Sequence, residues 1–551
     1  MTLDGVVPFP PEFAARYRKK GYWEDRPLTS VFTETFTKFA GRVALVVGGE
    51  RISYASLAEN VERLALHFLE LGVRPLDRVV LQLPNTPHFV YVYFALQRIG
   101  AIPVMALSPH RHREIKYFVE LSEAVAYAIP DRMGDFDFIE LARRIKGECP
   151  SLRHVLISGG AAPADCVSLA ACLRTESRVP RTELDQIRID PEDPAVLQLS
   201  GGTTGVPKLI PRTHNDYAFN SKTAATMVDV RRHDALLVVL PIAHNLPLAC
   251  PGIQGFFLNG ARAVLSTSVR AADVFGLITR ERITHLAVVP ALLIRWLNDP
   301  SIGRYDLSSV RVIQSGGQRL QPEVKRLAEQ RIPSATVQEN FGMAEGMLTF
   351  VRLDDPHDVR LETVGRPMCP DDEVKLVDDE GREVPVGEVG ELAVRGPYTL
   401  RGYYKAPEHN ARVFTPDGFY LSGDLMRRHP SGNYVVEGRK KDLINRGGEK
   451  ISAEEIENLI LSHPAVQNVA CVPMPDPVLG ERTCAFVVPR GGKRVTLPEL
   501  VQYLSELEIA KFKLPERLEL IDELPLSPFG KVSKVALTRR IAEKLREETS
   551  A

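Results

Sequence analysis

The chain has 551 residues, 44% hydrophobic and 25% charged, a composition typical of a globular protein and a length too great for one hydrophobic core. Its 69 Lys and Arg residues nearly cancel its 70 Asp and Glu residues, so no overall field favours nucleic acid or an anionic membrane as a partner. No membrane-spanning run, signal peptide or CxxC pair is recognisable, which predicts a cytoplasmic protein whose seven cysteines are reduced.

Helix-like and strand-like segments alternate through most of the chain. Apolar residues recur at helical spacing in 54–71, 88–99, 272–281 and 322–330. Short apolar runs typical of buried strands occupy 78–83, 102–107, 235–240, 263–265, 285–289 and 311–314. This alternation predicts an α/β fold built on doubly wound mixed sheets, in which parallel strands prevail.

The pattern changes towards the C-terminus. Beyond residue 370, short strands separated by Gly-containing turns predict a small β-rich subdomain. From residue 441, predicted helices at 453–461 and 497–507 and strands at 466–474 and 482–489 indicate a separate α+β domain. We therefore expect a large N-terminal domain at 1–440 and a small, mobile C-terminal domain at 441–551.

Residues 199–208, LSGGTTGVPK, combine glycines, hydroxyl side chains and a lysine directly after an apolar run. A Walker P-loop is excluded, because Val206 and Pro207 separate the last glycine from Lys208 and no Ser or Thr follows. We interpret the segment as a loop that holds phosphate through its backbone, hydroxyl and ammonium donors. These donors are Ser200, Gly201, Gly202, Thr203, Thr204, Gly205 and Lys208. A Gly/Thr-rich surface turn is the alternative.

Further motifs follow in order: NFGMAEG at 340–346, YLSGDL at 420–425, GRKKDLINRGGEK at 438–450 and PLSPFGKVSK at 525–534. With the glycine loop, this ordered set resembles the adenylate-forming superfamily of acyl-CoA synthetases, peptide-synthetase adenylation domains and luciferases. The resemblance implies an enzyme with two half-reactions. A carboxylate attacks the α-phosphate of ATP to give acyl-adenylate and pyrophosphate, and a thiol then takes the acyl group.

The same resemblance assigns the nucleotide site. ATP would bind with Mg²⁺, and the glycine loop would hold its β- and γ-phosphates. Glu345 would bind the metal, Asp424 would accept hydrogen bonds from the ribose, and Arg439 would contact ribose or phosphate. The residues expected around adenine are Gly316, Gly317, Gln318, Phe341 and Gly342. A core role for Phe341 is the alternative.

The resemblance also assigns the lysines of the C-terminal region. Lys531 is the expected catalytic residue, whose ammonium would touch both the incoming carboxylate and the α-phosphate. Lys534 is expected to be a solvated charge at a helix start. Lys441 matches the hinge about which the small domain would rotate after adenylation; an ordinary surface lysine is the alternative.

Residues 240–252, LPIAHNLPLACPG, resemble the aryl-acid branch of the superfamily, whose stand-alone ligases activate 2,3-dihydroxybenzoate or salicylate for siderophore assembly. His244 would then lie near the carboxylate, as a second catalytic residue, and Asn245 would face an ortho-hydroxyl. The other expected pocket residues are Leu246, Cys250, Ser315 and Asn340.

Three pocket positions depart from the usual pattern of that branch. Cys250 favours salicylate, because a thiol is a poor partner for a 3-hydroxyl. Leu246 replaces an aromatic wall. Asn340 replaces a valine and could meet a ring substituent or ring nitrogen, as in 3-hydroxypicolinate or a hydroxyanthranilate. The sequence thus predicts a hydroxylated aromatic acid, with salicylate narrowly ahead.

The acceptor implied by the resemblance is the phosphopantetheine thiol of a separate aryl carrier protein. Free coenzyme A, giving a product such as salicylyl-CoA, is the alternative. Two functions of other classes stay open. An inactive binding module conflicts with the presence of Lys531, Asp424 and Arg439, and a luciferase-like oxidative enzyme conflicts with the aryl-acid pocket.

Overall fold

The computed structural model describes residues 3–160, 162–200, 207–447, 449–507, 509–527 and 530–550, with 450, 549 and 550 as backbone only. The strands up to residue 440 are, in chain order, β1 (Val43–Val47), β2 (Glu50–Ser53), β3 (Arg78–Leu81), β4 (Ile102–Met105), β5 (Ala126–Pro130), β6 (Arg132–Met133), β7 (Phe136–Asp137), β8 (His154–Ser158), β9 (Val167–Ser168), β10 (Pro194–Leu199), β11 (Leu209–Thr213), β12 (Ala235–Val238), β13 (Arg262–Leu265), β14 (His285–Val288), β15 (Val312–Ser315), β16 (Thr336–Met343), β17 (Gly346–Phe350), β18 (Arg366–Pro367), β19 (Glu373–Val377), β20 (Val389–Arg395), β21 (Tyr420–Arg428) and β22 (Tyr434–Arg439).

The helices of the same region follow most of these strands. They are α1 (Pro11–Lys19), α2 (Leu28–Lys38), α3 (Tyr54–Glu70), α4 (Pro87–Arg98), α5 (His112–Ser122), α6 (Phe138–Glu148), α7 (Leu169–Cys172), α8 (Thr182–Gln186), α9 (His214–Met227), α10 (Asn245–Ala249), α11 (Gly252–Leu258), α12 (Ala271–Glu281), α13 (Pro290–Leu297), α14 (Pro322–Arg331), α15 (His357–Glu362) and α16 (Pro407–Val413). Local sequence explains several starts: Ser53 and Thr213 cap α3 and α9 through their hydroxyls, and proline occupies the first turn of α4, α13 and α14.

Two large mixed sheets dominate the N-terminal region. Over the described residues, one has nine strands in the order β18-β17-β16-β15-β14-β12-β13-β1-β2, and the other has seven in the order β11-β10-β4-β3-β5-β8-β9. Inner neighbours such as β14 and β15 pair in parallel, whereas edge pairs such as β10 and β11 are antiparallel. Residues 89–97 of α4 are all buried, so this helix is covered on every side. The α/β fold with doubly wound mixed sheets is confirmed.

Over the described residues, three smaller sheets complete the fold, one of them the two-stranded pair β6–β7. β19, β20, β21 and β22 form an antiparallel sheet, the predicted β-rich subdomain. A short 3-10 helix, Lys440–Asp442, leads from β22 into the C-terminal region. That region contains β23 (Leu443–Arg446), β24 (Glu449–Ser452), α17 (Ala453–Leu461), β25 (Val466–Asp476), β26 (Gly480–Pro489), α18 (Leu497–Glu506), β27 (Arg517–Leu520) and α19 (Lys534–Ser550). The α+β character is as expected, and the boundary at residue 441 stays a prediction.

Several predicted strands end two residues too late. β3, β4 and β12 stop before Leu83, Leu107 and Leu240, which are nevertheless buried. The apolar runs continue because the loops after these strands also face the interior. In the part of the chain that the structure covers, no helix has the length and apolarity needed to cross a membrane.

Candidate active site

A cavity of about 1040 Å³ lies at the carboxyl ends of β10, β14 and β15, with the small antiparallel sheet and the C-terminal region as its other walls. Most predicted site residues within the described ranges line it: Ser200, Lys208, His244, Asn245, Leu246, Cys250, Gly317, Gln318, Asn340, Phe341, Gly342, Glu345, Asp424, Arg439, Lys441 and Lys531. Ser315 and Gly316 do not line it. The loop residues Gly201, Gly202, Thr203, Thr204 and Gly205 lie outside the described residues.

The described ends of the glycine loop are held together by two hydrogen bonds. The backbone N–H of Ser200 donates to the carbonyl of Lys208 at 2.9 Å, and the N–H of Lys208 donates to Ser200 Oγ at 2.9 Å. The Lys208 ammonium lies 6.0 Å from the centre of the Tyr403 ring. Lys208 is followed by the strand β11, where a Walker P-loop would have a helix. This agrees with the exclusion of a P-loop from the spacing of the motif.

Glu345 lies in the turn between β16 and β17 and is only 9% exposed. Its Oε1 accepts a hydrogen bond from Tyr403 at 2.7 Å, and the Tyr403 and Tyr420 hydroxyls are 2.9 Å apart. Burial and the Glu345 carboxylate raise the pKa of Tyr403, so its hydroxyl remains a donor. Sequence reasoning missed Tyr403; the available signal was the aromatic segment GYYK at 402–405.

Asp424 and Arg439 face each other on β21 and β22. The Arg439 Nε donates to Asp424 Oδ1 at 2.8 Å, and Asp424 is 3% exposed. The Asp424 carboxylate raises the pKa of Arg439. The sequence Ser422-Gly423-Asp424 favours a turn, but all three residues lie within β21. The strand continues because Gly423, with φ of +74°, absorbs the bend.

Lys531 enters the cavity from the segment before α19. Its Cε would lie 3.1 Å from a Cβ placed on Gly317, so the glycine leaves room for the lysine stem. The backbone N–H of Ser527 donates to the Lys531 carbonyl at 2.6 Å and so helps to hold Lys531 in place. Burial, with the nearby Arg439 guanidinium, lowers the pKa of Lys531 to about 8, although Asp424 and Glu345 act in the opposite direction.

His244 caps the start of α10, as its position before a helical turn allows. Its Nδ1 accepts a hydrogen bond from Leu246 N–H at 3.2 Å, which leaves the ring proton on Nε2. Burial, followed by the charge of Lys531, lowers the pKa of His244 to about 3. The ring is therefore neutral at physiological pH and can act as a donor.

Asn245 and Cys250 form part of a hydrogen-bonded wall of the pocket. The Asn245 amide oxygen accepts from Tyr217 at 2.7 Å, and its nitrogen donates to Cys250 Sγ at 3.1 Å. Burial raises the pKa of the Cys250 thiol to about 11, so the thiol stays protonated. Leu246 is 6% exposed and adds an aliphatic surface beside them.

Asn340 and Ser315 lie on the neighbouring strands β16 and β15 and are 5% and 0% exposed. The Asn340 Oδ1 and the Ser315 Oγ have no hydrogen-bond partner within the described residues. A Cβ on Gly316 would lie 2.9 Å from Asn340 Oδ1, so the glycine leaves room for the amide. Asn340 thus lines the cavity with its side-chain oxygen buried and unsatisfied, whereas Ser315 does not line the cavity.

Four of the five residues expected around adenine line the cavity, namely Gly317, Gln318, Phe341 and Gly342. Gln318 Oε1 accepts from Val532 N–H at 3.3 Å, a direct contact between the N-terminal and C-terminal regions. Phe341 is half-buried and packs against the apolar core of the small sheet while also lining the cavity. A Cβ on Gly342 would meet the Leu348 side chain at 2.3 Å, so a glycine is needed for this close packing.

The two other predicted lysines have different surroundings. Lys441 lies in the 3-10 helix between the regions and is exposed. Lys534 begins α19, as expected, but it is not solvated: its ammonium pairs with Glu457 at 2.7 Å and both side chains are largely buried. Although burial disfavours its charge, the Glu457 carboxylate raises the pKa of Lys534. Lys534 therefore ties α19 to α17.

Known families and proteins are similar to this chain along its length. The AMP-binding enzyme family matches residues 32–404, and the AMP-binding enzyme C-terminal domain matches residues 455–531. A Streptomyces salicylyl-CoA synthase / salicylate adenylyltransferase is 47% identical over 98% of each chain. The Bacillus subtilis 2,3-dihydroxybenzoate-AMP ligase is 44% identical over 98% of this chain and 99% of its own. The apo structure of Mycobacterium smegmatis MbtA is 42% identical with a TM-score of 0.75, covering 97% of this chain and 99% of that one.

Proposed function

This chain belongs to the AMP-binding enzymes and is an adenylate-forming aryl acid–AMP ligase, and we propose that it activates a hydroxylated aromatic acid of the salicylate or 2,3-dihydroxybenzoate type. In the reaction, a carboxylate oxygen forms a bond to the α-phosphorus of ATP, and the bond to pyrophosphate breaks. The products are aryl-AMP and pyrophosphate, and aryl-AMP is then the donor of the acyl group.

The observation that carries the proposal is the position of Lys531 in the same cavity as Asp424, Arg439 and His244. Attack of a carboxylate on a phosphate brings two anions together, so cations must offset the repulsion that grows in the transition state. Lys531 would neutralise the oxygens of the carboxylate and α-phosphate. One charge-assisted hydrogen bond of this kind contributes about 1.5–3 kcal/mol.

The other polar groups would bind and orient the two substrates. Asp424, held by Arg439, would accept hydrogen bonds from the ribose hydroxyls, and Ser200 and Lys208 would hold the outer phosphates. The Nε2–H of neutral His244 would donate to the acid's carboxylate and keep its attacking oxygen directed at phosphorus. His244 is not proposed as a base, because a carboxylate needs no deprotonation at neutral pH.

The donor set around Glu345 fits Mg²⁺. The described residues contain no cluster of three or more His, Cys, Asp or Glu able to form an all-protein metal site. Mg²⁺ takes one or two carboxylates and completes its shell with phosphates and water, and Glu345 is a single carboxylate oriented by Tyr403. Glu345 would hold the ion, which supplies charge neutralisation to the phosphates when bound.

The pocket supports an aromatic acid with a polar substituent beside the carboxylate. Asn245 offers an amide there, and the neutral Cys250 thiol is a weak hydrogen-bonding partner, which favours salicylate over an acid with a 3-hydroxyl. The unsatisfied oxygen of Asn340 favours the opposite choice, an acid with a further donor such as a hydroxyanthranilate. Salicylate remains the first substrate to test.

We propose the phosphopantetheine thiol of a separate aryl carrier protein as acceptor, in the cytoplasm. Free coenzyme A is the second candidate, and the name of the Streptomyces relative, a salicylyl-CoA synthase, supports it. Both acceptors end in the same thiol. Comparing thioester formation with a phosphopantetheinylated carrier and with coenzyme A at equal thiol concentration decides between them.

A pyrophosphate-exchange panel tests the proposal. The acids are salicylate, 2,3-dihydroxybenzoate, 3-hydroxypicolinate, 3-hydroxyanthranilate, benzoate and several amino acids. We expect exchange with the ortho-hydroxylated aromatic acids and much less with benzoate. Exchange stimulated by amino acids alone would overturn the assignment of the pocket.

A further inference from the structure

Arg212 is a fully buried cation directly behind the cavity. It lies on β11 and is 0% exposed. Its Nε donates to Asp216 Oδ1 at 2.9 Å, and Asp216, on α9, is 1% exposed. A buried guanidinium must satisfy its remaining N–H groups as well, so the groups that they meet are informative.

One arm of Arg212 reaches the turn that carries Glu345. Its Nη1 donates to the carbonyl of Ala344 at 3.0 Å, one residue before Glu345. This turn belongs to the nine-stranded sheet, whereas β11 is an edge strand of the seven-stranded sheet. The contact therefore fixes one sheet relative to the other at the position of the Glu345 carboxylate.

The other contacts of Arg212 lead to the aryl pocket. Its Nη2 lies 3.5 Å from Asn220 Oδ1, and Asn220 Nδ2 donates to the carbonyl of Ala249, beside Cys250, at 2.6 Å. The guanidinium carbon also lies 5.0 Å from the centre of the Tyr217 ring, whose hydroxyl donates to Asn245. The hydrogen-bonded wall that contains Asn245 and Cys250 is thus linked to one cation through both Asn220 and Tyr217.

We propose that Arg212 is a positioning residue that fixes the position of the Glu345 turn relative to the aryl pocket. The inference rests on the proposed function, because it concerns how that site holds its two substrates. Adenylation requires the carboxylate and the α-phosphate to meet within a narrow range of distances and angles. The planar fork of arginine can hold Asp216, Ala344 and Asn220 together, and a lysine ammonium on a flexible stem cannot.

The test uses two variants and a control in the full chain. Arg212→Lys keeps the charge and can keep the Asp216 pair, but it loses the fork. Asn220→Ala breaks only the arm towards the aryl pocket. Arg311→Lys is the control, because Arg311 pairs with Asp229 and Asp234 at 3.1 and 2.8 Å and does not line the cavity.

Calorimetric titration measures the affinity for ATP, for ATP with Mg²⁺ and for salicylate. Thermal unfolding and pyrophosphate exchange are measured on the same variants. We expect Arg212→Lys to weaken both MgATP and salicylate by about tenfold, the effect of losing one hydrogen bond to a charged group, with ATP alone changed less. Asn220→Ala should weaken salicylate only. Arg311→Lys should lower the unfolding temperature and leave all three affinities within about twofold.

If Arg212→Lys behaves like Arg311→Lys, Arg212 is an ordinary structural ion pair and the inference is wrong. If Arg212→Lys does not fold, Asn220→Ala decides, and unchanged salicylate binding in it contradicts the inference. A wild-type protein that binds MgATP but no aromatic acid would instead contradict the proposed function.

Discussion

At the scale of single residues, the cavity contains charged groups with unequal surroundings. Asp424 and Arg439 form an ion pair and neutralise each other. Lys531 is buried near this pair and near Glu345, but it is not part of the pair. Its pKa is lowered to about 8, and a bound carboxylate and phosphate would restore the preference for the ammonium form. The charge of Lys531 should thus respond to the binding of the anionic substrates.

Replacing Lys531 tests its assignment to the first half-reaction. We expect Lys531→Ala to slow adenylation by roughly 10- to 150-fold, the kinetic equivalent of one charge-assisted hydrogen bond. Transfer from supplied aryl-AMP to a thiol should be much less affected. Pyrophosphate exchange and thioester formation measure the two steps separately, and equal losses in both would count against the assignment.

The lowered pKa of Lys531 also predicts a pH dependence. Adenylation requires the ammonium, so kcat/KM should be maximal well below pH 8 and should fall to about half its maximum near pH 8. Lys531→Arg, if it adenylates at all, should lose this limb because a guanidinium does not titrate there. If the chemical step limits the rate, a wild-type kcat/KM that does not change from pH 7 to about pH 9.5 would contradict the proposed role.

Asn340→Val distinguishes between the two substrate hypotheses, salicylate and an acid with a further hydrogen-bond donor. Removing an unsatisfied buried acceptor should raise the free energy of unfolding by about 1 kcal/mol. Activation of salicylate should be kept, while acids with a second donor should lose about tenfold in kcat/KM. The substrate panel and thermal unfolding measure this, and loss of salicylate activation alone would refute it.

At the scale of secondary-structure elements, the site depends on turns held by contacts from other sheets. The β16–β17 turn carries Glu345 and is held by two separate segments: β11 through Arg212, and the loop before α16 through Tyr403 and the backbone N–H of Leu400. Hydrogen bonds from separate elements restrict a turn more than its own backbone does. The carboxylate is therefore oriented before metal and nucleotide arrive.

Tyr403→Phe removes one of these contacts with little change in volume. We expect the Mg²⁺ concentration for half-maximal adenylation to rise about fivefold, corresponding to about 1 kcal/mol for one hydrogen bond. The KM of the aromatic acid should stay within about twofold. Tyr404→Phe serves as the control, since Tyr404 is buried but does not line the cavity.

At the scale of the whole molecule, residues before and after the 3-10 helix line the same cavity. Lys531 lies in it, and Gln318 contacts Val532 across the two regions. This arrangement suits adenylation, while transfer needs space for an incoming thiol. We expect the 441–551 region to rotate between the steps, with Lys441 absorbing the change in backbone angles.

Lys441→Pro tests the hinge. A 3-10 helix has φ near the value that proline imposes, so the variant should adopt the present arrangement and adenylate at a rate close to wild type. Transfer from aryl-AMP to the thiol should fall by more than about tenfold. Lys441→Ala, which keeps rotation about φ, should transfer normally; similar transfer rates in both variants would place the hinge elsewhere.

The sequence by itself determined the alternation of helices and strands and the exclusion of a P-loop, because these depend on local periodicity and spacing. Its ordered motifs indicated the class of reaction through their resemblance to a family. Only the tertiary structure decided which polar groups are already satisfied. Arg212 meets Ala344, 132 residues away, and Tyr403 meets Glu345, 58 residues away, so neither role could be read locally. The same holds for the buried Lys534–Glu457 pair and the unsatisfied oxygen of Asn340. Burial and hydrogen bonding are properties of neighbours in space, and long-range packing alone sets those neighbours.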